Sequence, residues 1–335
     1  MKAAVFRALH QPLEVAEVND PQPDSHQVLL KVCRCGICGS DLHMTHDPVF
    51  GVKTGDVLGH EFTGEVIEAG REAEGLRVGD RVSVAPIYGC GACDSCRRGE
   101  PAWCSRMQLL GGGYAQYAAV AARQCRRLPQ AVSAADGALA EPLAVALHGV
   151  MRSRMRPGDT VMVLGAGAIG LAVAFWARRL GASKVVVCDL LELQQARAYE
   201  LGATGFFGRR EDLIGDVNAS LGGPPDIVFE CVGAKGLIAQ AIEHVRPRGT
   251  VVVLGLCTAL DHFMPFQAIS KEVQIVMSVF FTMPEFCTAI DALDSGRYAP
   301  QALLSETVSL DAMPQAFEAL RQRSTQCKVL VDPFQ

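Results

Sequence analysis

The sequence predicts a two-domain α/β protein: a doubly wound parallel sheet in the middle of the chain and a mainly β part before it. Three observations carry this reading. The chain has 335 residues, too many for one compact core and comfortable for two domains. Beyond Pro157-Gly158-Asp159, short apolar runs alternate with helical patterns, as parallel strands joined by crossover helices require. Before residue 150 the chain is instead rich in Gly, Pro and short β-branched runs.

Taken in order, residues 28–32 and 81–84 read as strands close to turn residues. A helix is expected near Asp41, with Ser40 able to cap it. In the middle of the chain, 161–164 is a strand, followed by a Gly-rich turn and a helix over 171–180. A strand at 184–188 and a helix over 190–201 come next, then strands at 226–230, 250–254 and 273–279. The doubly wound domain thus runs from 151 to 290. There is no internal repeat and no low-complexity segment.

Composition narrows the function classes. Hydrophobic residues make up 49% of the chain, enough for a sizeable core, and the net charge of −5 argues against a nucleic-acid binder. The opening residues Met1-Lys2-Ala3-Ala4-Val5-Phe6 hold no long apolar run with a cleavage site, so no secretory leader is expected. The longest apolar stretch, 161–177, contains Gly165, Gly167 and Gly170 and is followed by Arg178-Arg179. It reads as strand, turn and helix, and no membrane span is expected. A reducing cytoplasm is therefore the expected setting for the 13 cysteines, and metal binding the better explanation for a clustered set.

One such set is Cys90, Cys93, Cys96 and Cys104. Short Cys-x-x-Cys steps let a loop wrap one zinc in a closed tetrahedron, a structural role with no open position for substrate. Spacing alone also admits an iron–sulfur cluster. Arg97 and Arg98 fall inside the loop and offset its thiolate charge. Cys125, Cys188, Cys231, Cys257, Cys287 and Cys327 are scattered and read as small core residues.

Gly165-Ala166-Gly167-Ala168-Ile169-Gly170 follows the strand 161–164 and opens a helix, the context a G-x-G-x-x-G dinucleotide motif needs. Its glycines allow a tight turn and close approach of the backbone to a pyrophosphate at the helix N-terminus. Asp189 ends the next strand. An acid there accepts hydrogen bonds from ribose hydroxyls and repels a 2′-phosphate, favouring NAD over NADP; alternatively it caps the following helix. Val232-Gly233 and Leu254-Gly255 end later strands and are expected to line the cofactor cleft.

Three further segments are weak singly: Cys35-Gly36-Ile37-Cys38-Gly39-Ser40-Asp41-Leu42-His43, Gly59-His60-Glu61 and Ala140-Glu141-Pro142. Together, and in order with the cysteine loop and the glycine motif, they resemble the zinc-containing medium-chain dehydrogenase/reductase family over the whole chain. The pattern is most similar to its sorbitol, threonine and 2,3-butanediol dehydrogenase branch, in which an acid stands where classical alcohol dehydrogenases have a cysteine. The resemblance implies a GroES-like catalytic domain of residues 1–150 and 291–335 around a Rossmann domain of 151–290. It implies Cys38 and His60 as ligands of a catalytic zinc, Glu61 as a ligand or a partner just outside the ligands, and Glu141 as a ligand directly or through water. Cys33 and Cys35 are left as packing by the same match.

A zinc with three protein ligands keeps one position for water or alcohol and acts as a Lewis acid. The resemblance implies that Ser40 takes the substrate proton and passes it through the cofactor ribose to His43. It places Phe50, Tyr114, Phe280 and Phe281 in the substrate wall, with Met44 and Leu110 beside them. Relatives often carry Arg or Lys about five positions after the acid at 189, where this chain has Gln194. The expected activity is oxidation of a secondary alcohol, diol or polyol to the ketone with NAD, on two zincs per subunit. A homodimer or homotetramer is expected, paired through the strand at 273–279. A non-catalytic zinc-binding protein on the same fold would need none of Cys38, Ser40, His43, His60 and Glu141.

Overall fold

The strands Thr160–Leu164, Lys184–Cys188, Ile227–Glu230 and Thr250–Val253 are apolar almost throughout and buried, as a parallel sheet covered on both faces demands. They belong to a computed structural model that describes residues 1–294, 299–322 and 325–335. One six-stranded sheet has the order Gly205–Phe207, Lys184–Cys188, Thr160–Leu164, Ile227–Glu230, Thr250–Val253, Gln274–Met277. Every neighbouring pair is parallel. This is the Rossmann order, reversing between Thr160–Leu164 and Ile227–Glu230. The helix Ala168–Arg179 buries its whole middle, from Gly170 to Ala177, and Trp176 Nε1 donates to the Leu143 carbonyl at 2.8 Å.

Two expected elements differ. In place of a helix over 190–201 there is a 3-10 turn, Glu192–Gln194, and then a helix, Gln195–Glu200. Asp189 accepts from the Leu191 N–H at 3.1 Å and holds the entry extended, while Leu190 and Leu193 face solvent. The outermost strand is Gln274–Met277, shorter than 273–279, and Met277 and Val279 are exposed at 63% and 56%.

The second sheet has seven strands, in the order Leu304–Ser309, Lys328–Asp332, Gln27–Gly36, Glu61–Ala69, Arg81–Val84, Cys125–Arg127, with Tyr117–Ala121 also on Gln27–Gly36. All pairings are antiparallel except Leu304–Ser309 with Lys328–Asp332. Alternation explains which face is inward: Val28, Leu30 and Val32 are fully buried and pack with Val66, Val82 and Val84.

The chain divides into two compact units, one of Met1–Glu141, Thr282–Ser295 and Leu304–Gln335, the other of Pro142–Phe281 and Gly296–Leu303. The chain passes between the units at 141/142 and 281/282 and again on either side of Gly296–Leu303. The helix Met283–Asp294 packs on Ala134–Gly137 of the β unit, which draws it out of the Rossmann unit. Among the described residues no helix is long and apolar enough to cross a membrane. The run 161–177 is a strand, a turn and part of a helix.

Candidate active site

The strand Gln27–Gly36 delivers the chain to Cys38, which caps the short helix Gly39–Met44. The cap is Cys38 and not Ser40, because the helix begins two residues before Asp41. Ser40 Oγ instead lies 3.2 Å from Cys38 Sγ and 3.4 Å from His60 Nε2. His43, on the same helix, is exposed. His60 sits just before the strand Glu61–Ala69, and Glu61 faces Gly36 across the sheet. A Cβ at Gly36 would overlap the Glu61 carboxylate, so the close approach depends on glycine. Donor atoms of Cys38, His60 and Glu61 all come within 4.8 Å of one another. Thiolate, imidazole and carboxylate at that spacing form a set that fits zinc. Glu141, in the first turn of Ala140–Arg152, lies outside this trio. Burial pushes its carboxyl up to about 7, with His60, Glu61, Lys328 and Asp41 all within electrostatic reach.

Two charged residues behind the trio carry no signal of their own in the sequence. Asp41, fully buried, meets His60 Nδ1 at 3.1 Å through Oδ1. Burial opposes its charge, but His60 and the hydrogen bonds from His60, Tyr114 and Cys38 hold its carboxyl below the usual range. Lys328, 3% exposed, lies 2.7 and 2.5 Å from the two oxygens of Glu61 and donates to the Ile37 carbonyl at 3.1 Å. Burial opposes the Lys328 charge too, yet Glu61 and Cys38 outweigh it. Lys328 opens the strand Lys328–Asp332 just ahead of the apolar run 329–331, and nothing in that pattern names Glu61.

Cys90, Cys93, Cys96 and Cys104 also converge, their sulfurs mutually within 4.8 Å. Cys90 and Cys96 Sγ are 3.9 Å apart, close to the roughly 3.8 Å edge of a tetrahedron with Zn–S near 2.3 Å. The N–H groups of Ala92 and Cys93, joined by Arg106, pull the Cys90 thiol down to about 5. Burial pushes Cys96 up to about 11. The loop is pinned to the start of the helix Met283–Asp294 by Met283 N–H donating to the Gly99 carbonyl at 2.7 Å. Of the six cysteines read as core, Cys125 and Cys188 are buried, Cys231, Cys287 and Cys327 are half-buried, and Cys257 is exposed. Cys257 is therefore not a core residue; it lies in the loop after the strand Thr250–Val253.

In the Rossmann unit, Gly165 has φ +98 and hydrogen-bonds the Cys188 carbonyl. A Cβ at Gly170 would overlap the Gly165 carbonyl, so the turn tolerates no side chain there. Gly167 caps the helix Ala168–Arg179, leaving its first N–H groups available. Asp189 accepts from the Ala166 N–H at 2.7 Å, tying the acid to the glycine turn. Gln194 is buried and accepts from Arg197. Glu230, 2% exposed, is a further residue that motif and spacing do not reveal. Its Oε1 accepts from Val232 N–H at 2.7 Å and Gly233 N–H at 2.8 Å, and its carbonyl accepts from the N–H groups of Leu254 and Gly255. One carboxylate and its backbone thus hold both loops at the strand ends.

A cavity of about 630 Å³ in the β unit reaches His60 and Asp41 and is walled by Met44, Val49, Phe50, Leu109 and Leu110, among others. Phe50 lines this cavity. Tyr114 does not: it is fully buried, with its hydroxyl 2.5 Å from Asp41 Oδ2, because a buried phenol needs a polar partner. Phe281 is buried and Phe280 half-buried with φ +59, both in the Rossmann unit.

A Rossmann unit carrying a glycine-turn motif, joined to a β unit with two clusters of zinc-type donors, defines a metal-dependent, dinucleotide-linked oxidoreductase. Residues 24–130 match the alcohol dehydrogenase GroES-like domain and residues 168–295 the zinc-binding dehydrogenase family. The chain is 32% identical to D-xylulose reductase A of Aspergillus clavatus over 95% of its own length and 92% of that protein's. It is 31% identical to (R,R)-butanediol dehydrogenase of Bacillus subtilis over 99% and 100%. Among solved structures, an NADP-bound zinc-binding dehydrogenase from Sinorhizobium meliloti 1021 superposes with a TM-score of 0.91 at 32% identity, covering 99% of each chain. An alcohol dehydrogenase from E. coli CFT073 in complex with NADH gives 0.89 at 28%, again covering 99% of each. The chain belongs to the zinc-binding alcohol dehydrogenase family, and is a zinc-dependent oxidoreductase that uses a nicotinamide dinucleotide.

Proposed function

We propose that this enzyme oxidises a small or medium secondary alcohol, such as a diol or cyclic alcohol, to the ketone with NAD as hydride acceptor. The observation behind the substrate class is the cavity at His60, where Met44, Val49, Phe50, Leu109 and Leu110 stand beside the polar Asp56 and His60. A hexitol would call for more hydrogen-bonding groups than these walls supply. Zinc, when bound, supplies a Lewis acid that makes the alcohol hydroxyl acidic. Cys38 and His60 are the protein ligands in this reading, with Glu141 and Glu61 completing the set. Lys328 holds Glu61 in place behind them. Ser40 takes the hydroxyl proton while giving up its own, and His43, one turn on and exposed, carries that proton on to solvent. The β unit is thus the catalytic one, with Cys90, Cys93, Cys96 and Cys104 holding a structural zinc in it.

The Rossmann unit takes the dinucleotide on the turn 165–170, against residues 232–233 and 254–255. Asp189 is the feature favouring NAD over NADP. The edge strand Gln274–Met277, with Met277 exposed at 63%, and Phe266 and Ile269 exposed at 71% and 69% on the preceding helix Pro265–Ser270, support pairing with a second copy of the chain. A cytoplasmic setting belongs to this reading because metal-binding thiols must stay reduced. Kinship with a xylulose reductase favours a second reading, a polyol substrate.

Initial rates of NADH formation against cyclic and aliphatic secondary alcohols, vicinal diols and sorbitol, with zinc content measured on the same sample, decide between them. The apolar alcohols and small diols are expected to give the higher kcat/KM. A higher value for sorbitol would reverse the substrate assignment.

A further inference from the structure

Tyr114 is one of the largest fully buried side chains of the molecule, yet its hydroxyl is not spent on packing. We propose that Tyr114 is a positioning residue of the metal centre, its hydroxyl fixing through Asp41 the orientation of the His60 ring. The inference rests on the reading of Cys38 and His60 as metal ligands.

The ring comes first. Gly59, immediately before His60, has φ +85, and a Cβ built on it would stand 2.6 Å from Tyr114 Cδ1. The aromatic face therefore lies directly against the backbone that presents His60. The loop carrying Tyr114 is stitched to the same backbone: Tyr114 N–H donates to the Leu58 carbonyl at 3.1 Å, and Gly113 N–H to the Gly59 carbonyl at 2.9 Å. On its other side the ring meets Phe317 edge-on, at 6.4 Å between centroids. These contacts leave the hydroxyl little freedom.

That hydroxyl is 2.5 Å from Asp41 Oδ2 and 3.4 Å from the Gly36 carbonyl. A phenol has one proton to donate, and the shorter contact, to an anion, takes it. Asp41 in turn touches both proposed ligands. Oδ1 faces His60 Nδ1 at 3.1 Å, and Oδ2 accepts from the Cys38 N–H at 3.4 Å. With Nδ1–H donating to Asp41, the other nitrogen, Nε2, carries the lone pair a metal needs. The terminal torsion of an aspartate is broad, so one contact at 3.4 Å does not by itself fix which oxygen meets the imidazole. The tyrosine supplies the second anchor.

The test uses the zinc-loaded enzyme, with metal release to excess EDTA followed in the wild type, Tyr114→Phe, Asp41→Asn and the double variant. Cys38→Ser identifies which release phase belongs to this centre. Tyr114→Phe keeps the ring and is expected to release that metal about tenfold faster, the low end for losing an outer-shell partner. Its cobalt-substituted form is expected to show shifted visible d–d bands. In the Asp41→Asn background the same change is expected to alter release by less than about twofold, because the partner it acts through is gone. Unchanged release and an unchanged cobalt spectrum in a metal-bearing Tyr114→Phe enzyme would overturn the proposal alone. So would an undiminished effect in the Asp41→Asn background. A wild type with no release phase sensitive to Cys38→Ser would overturn the metal reading and this proposal together.

Discussion

Lys328 shows how far one side chain can decide the character of a buried site. It carries the positive charge against Glu61, with exposures of 3% and 0%. Removing one member of a buried pair leaves the other charge uncompensated, at a cost of about 3–5 kcal/mol. Lys328→Met is therefore expected to lower the urea midpoint of the metal-free protein by an amount corresponding to that loss. The further change Glu61→Gln should recover much of it, since the stranded anion is then gone. In the proposed function Asp189 acts in the other unit, by repelling a 2′-phosphate. Asp189→Ala is expected to raise NADP use relative to NAD at least tenfold, read as the ratio of the two kcat/KM values. Equal use of both cofactors by the wild type would show that this acid does not discriminate.

At the scale of elements, the proposed function makes the cysteine loop a small lobe ordered by one zinc. Cys93→Ser opens the closed tetrahedron and is expected to lower the melting temperature by several degrees while Cys38→Ser does not. The catalytic rate should show the reverse asymmetry, abolished by Cys38→Ser. Elements with a strong local signal are legible in the residues alone. The apolar strand Lys184–Cys188, the Gly165 turn and the Cys-x-x-Cys loop each declare themselves within a few positions. The helix expected over 190–201 fails because Asp189 bonds to the Leu191 N–H, an interaction that periodicity does not encode. Asp41, Lys328, Glu230 and the true place of Tyr114 are illegible for a related reason. Each matters through a partner that local pattern does not name, 267 positions away for Lys328 and Glu61, and sequence spacing carries no information about such pairs.

For the whole molecule, the unfinished edge of the six-stranded sheet is the feature with the widest reach. Gln274–Met277 pairs on one side only among the described residues, and Met277 is 63% exposed. A charge placed there should disfavour continuation of the sheet into a neighbouring copy. Met277→Lys is expected to halve the solution mass measured by light scattering, leaving the far-ultraviolet circular dichroism unchanged. A wild type already monomeric at micromolar concentration would remove the premise.

The discontinuity of the β unit has its own consequence for biogenesis. The Rossmann unit is almost wholly contiguous, from Pro142 to Phe281, and can fold as it leaves the ribosome. The β unit must wait. Its strand Gln27–Gly36 emerges early, but the partner Lys328–Asp332, paired through Leu330 with Gly36 and Val331 with Cys35, is translated some three hundred residues later. Until then Glu61 lacks its ammonium partner, and a nascent chain holds a vacant seam at the heart of its future metal pocket. Polypeptides that end before the last strand are therefore expected to leave the Glu61 carboxylate without its counter-charge, while the cysteine loop at 90–104 is already whole.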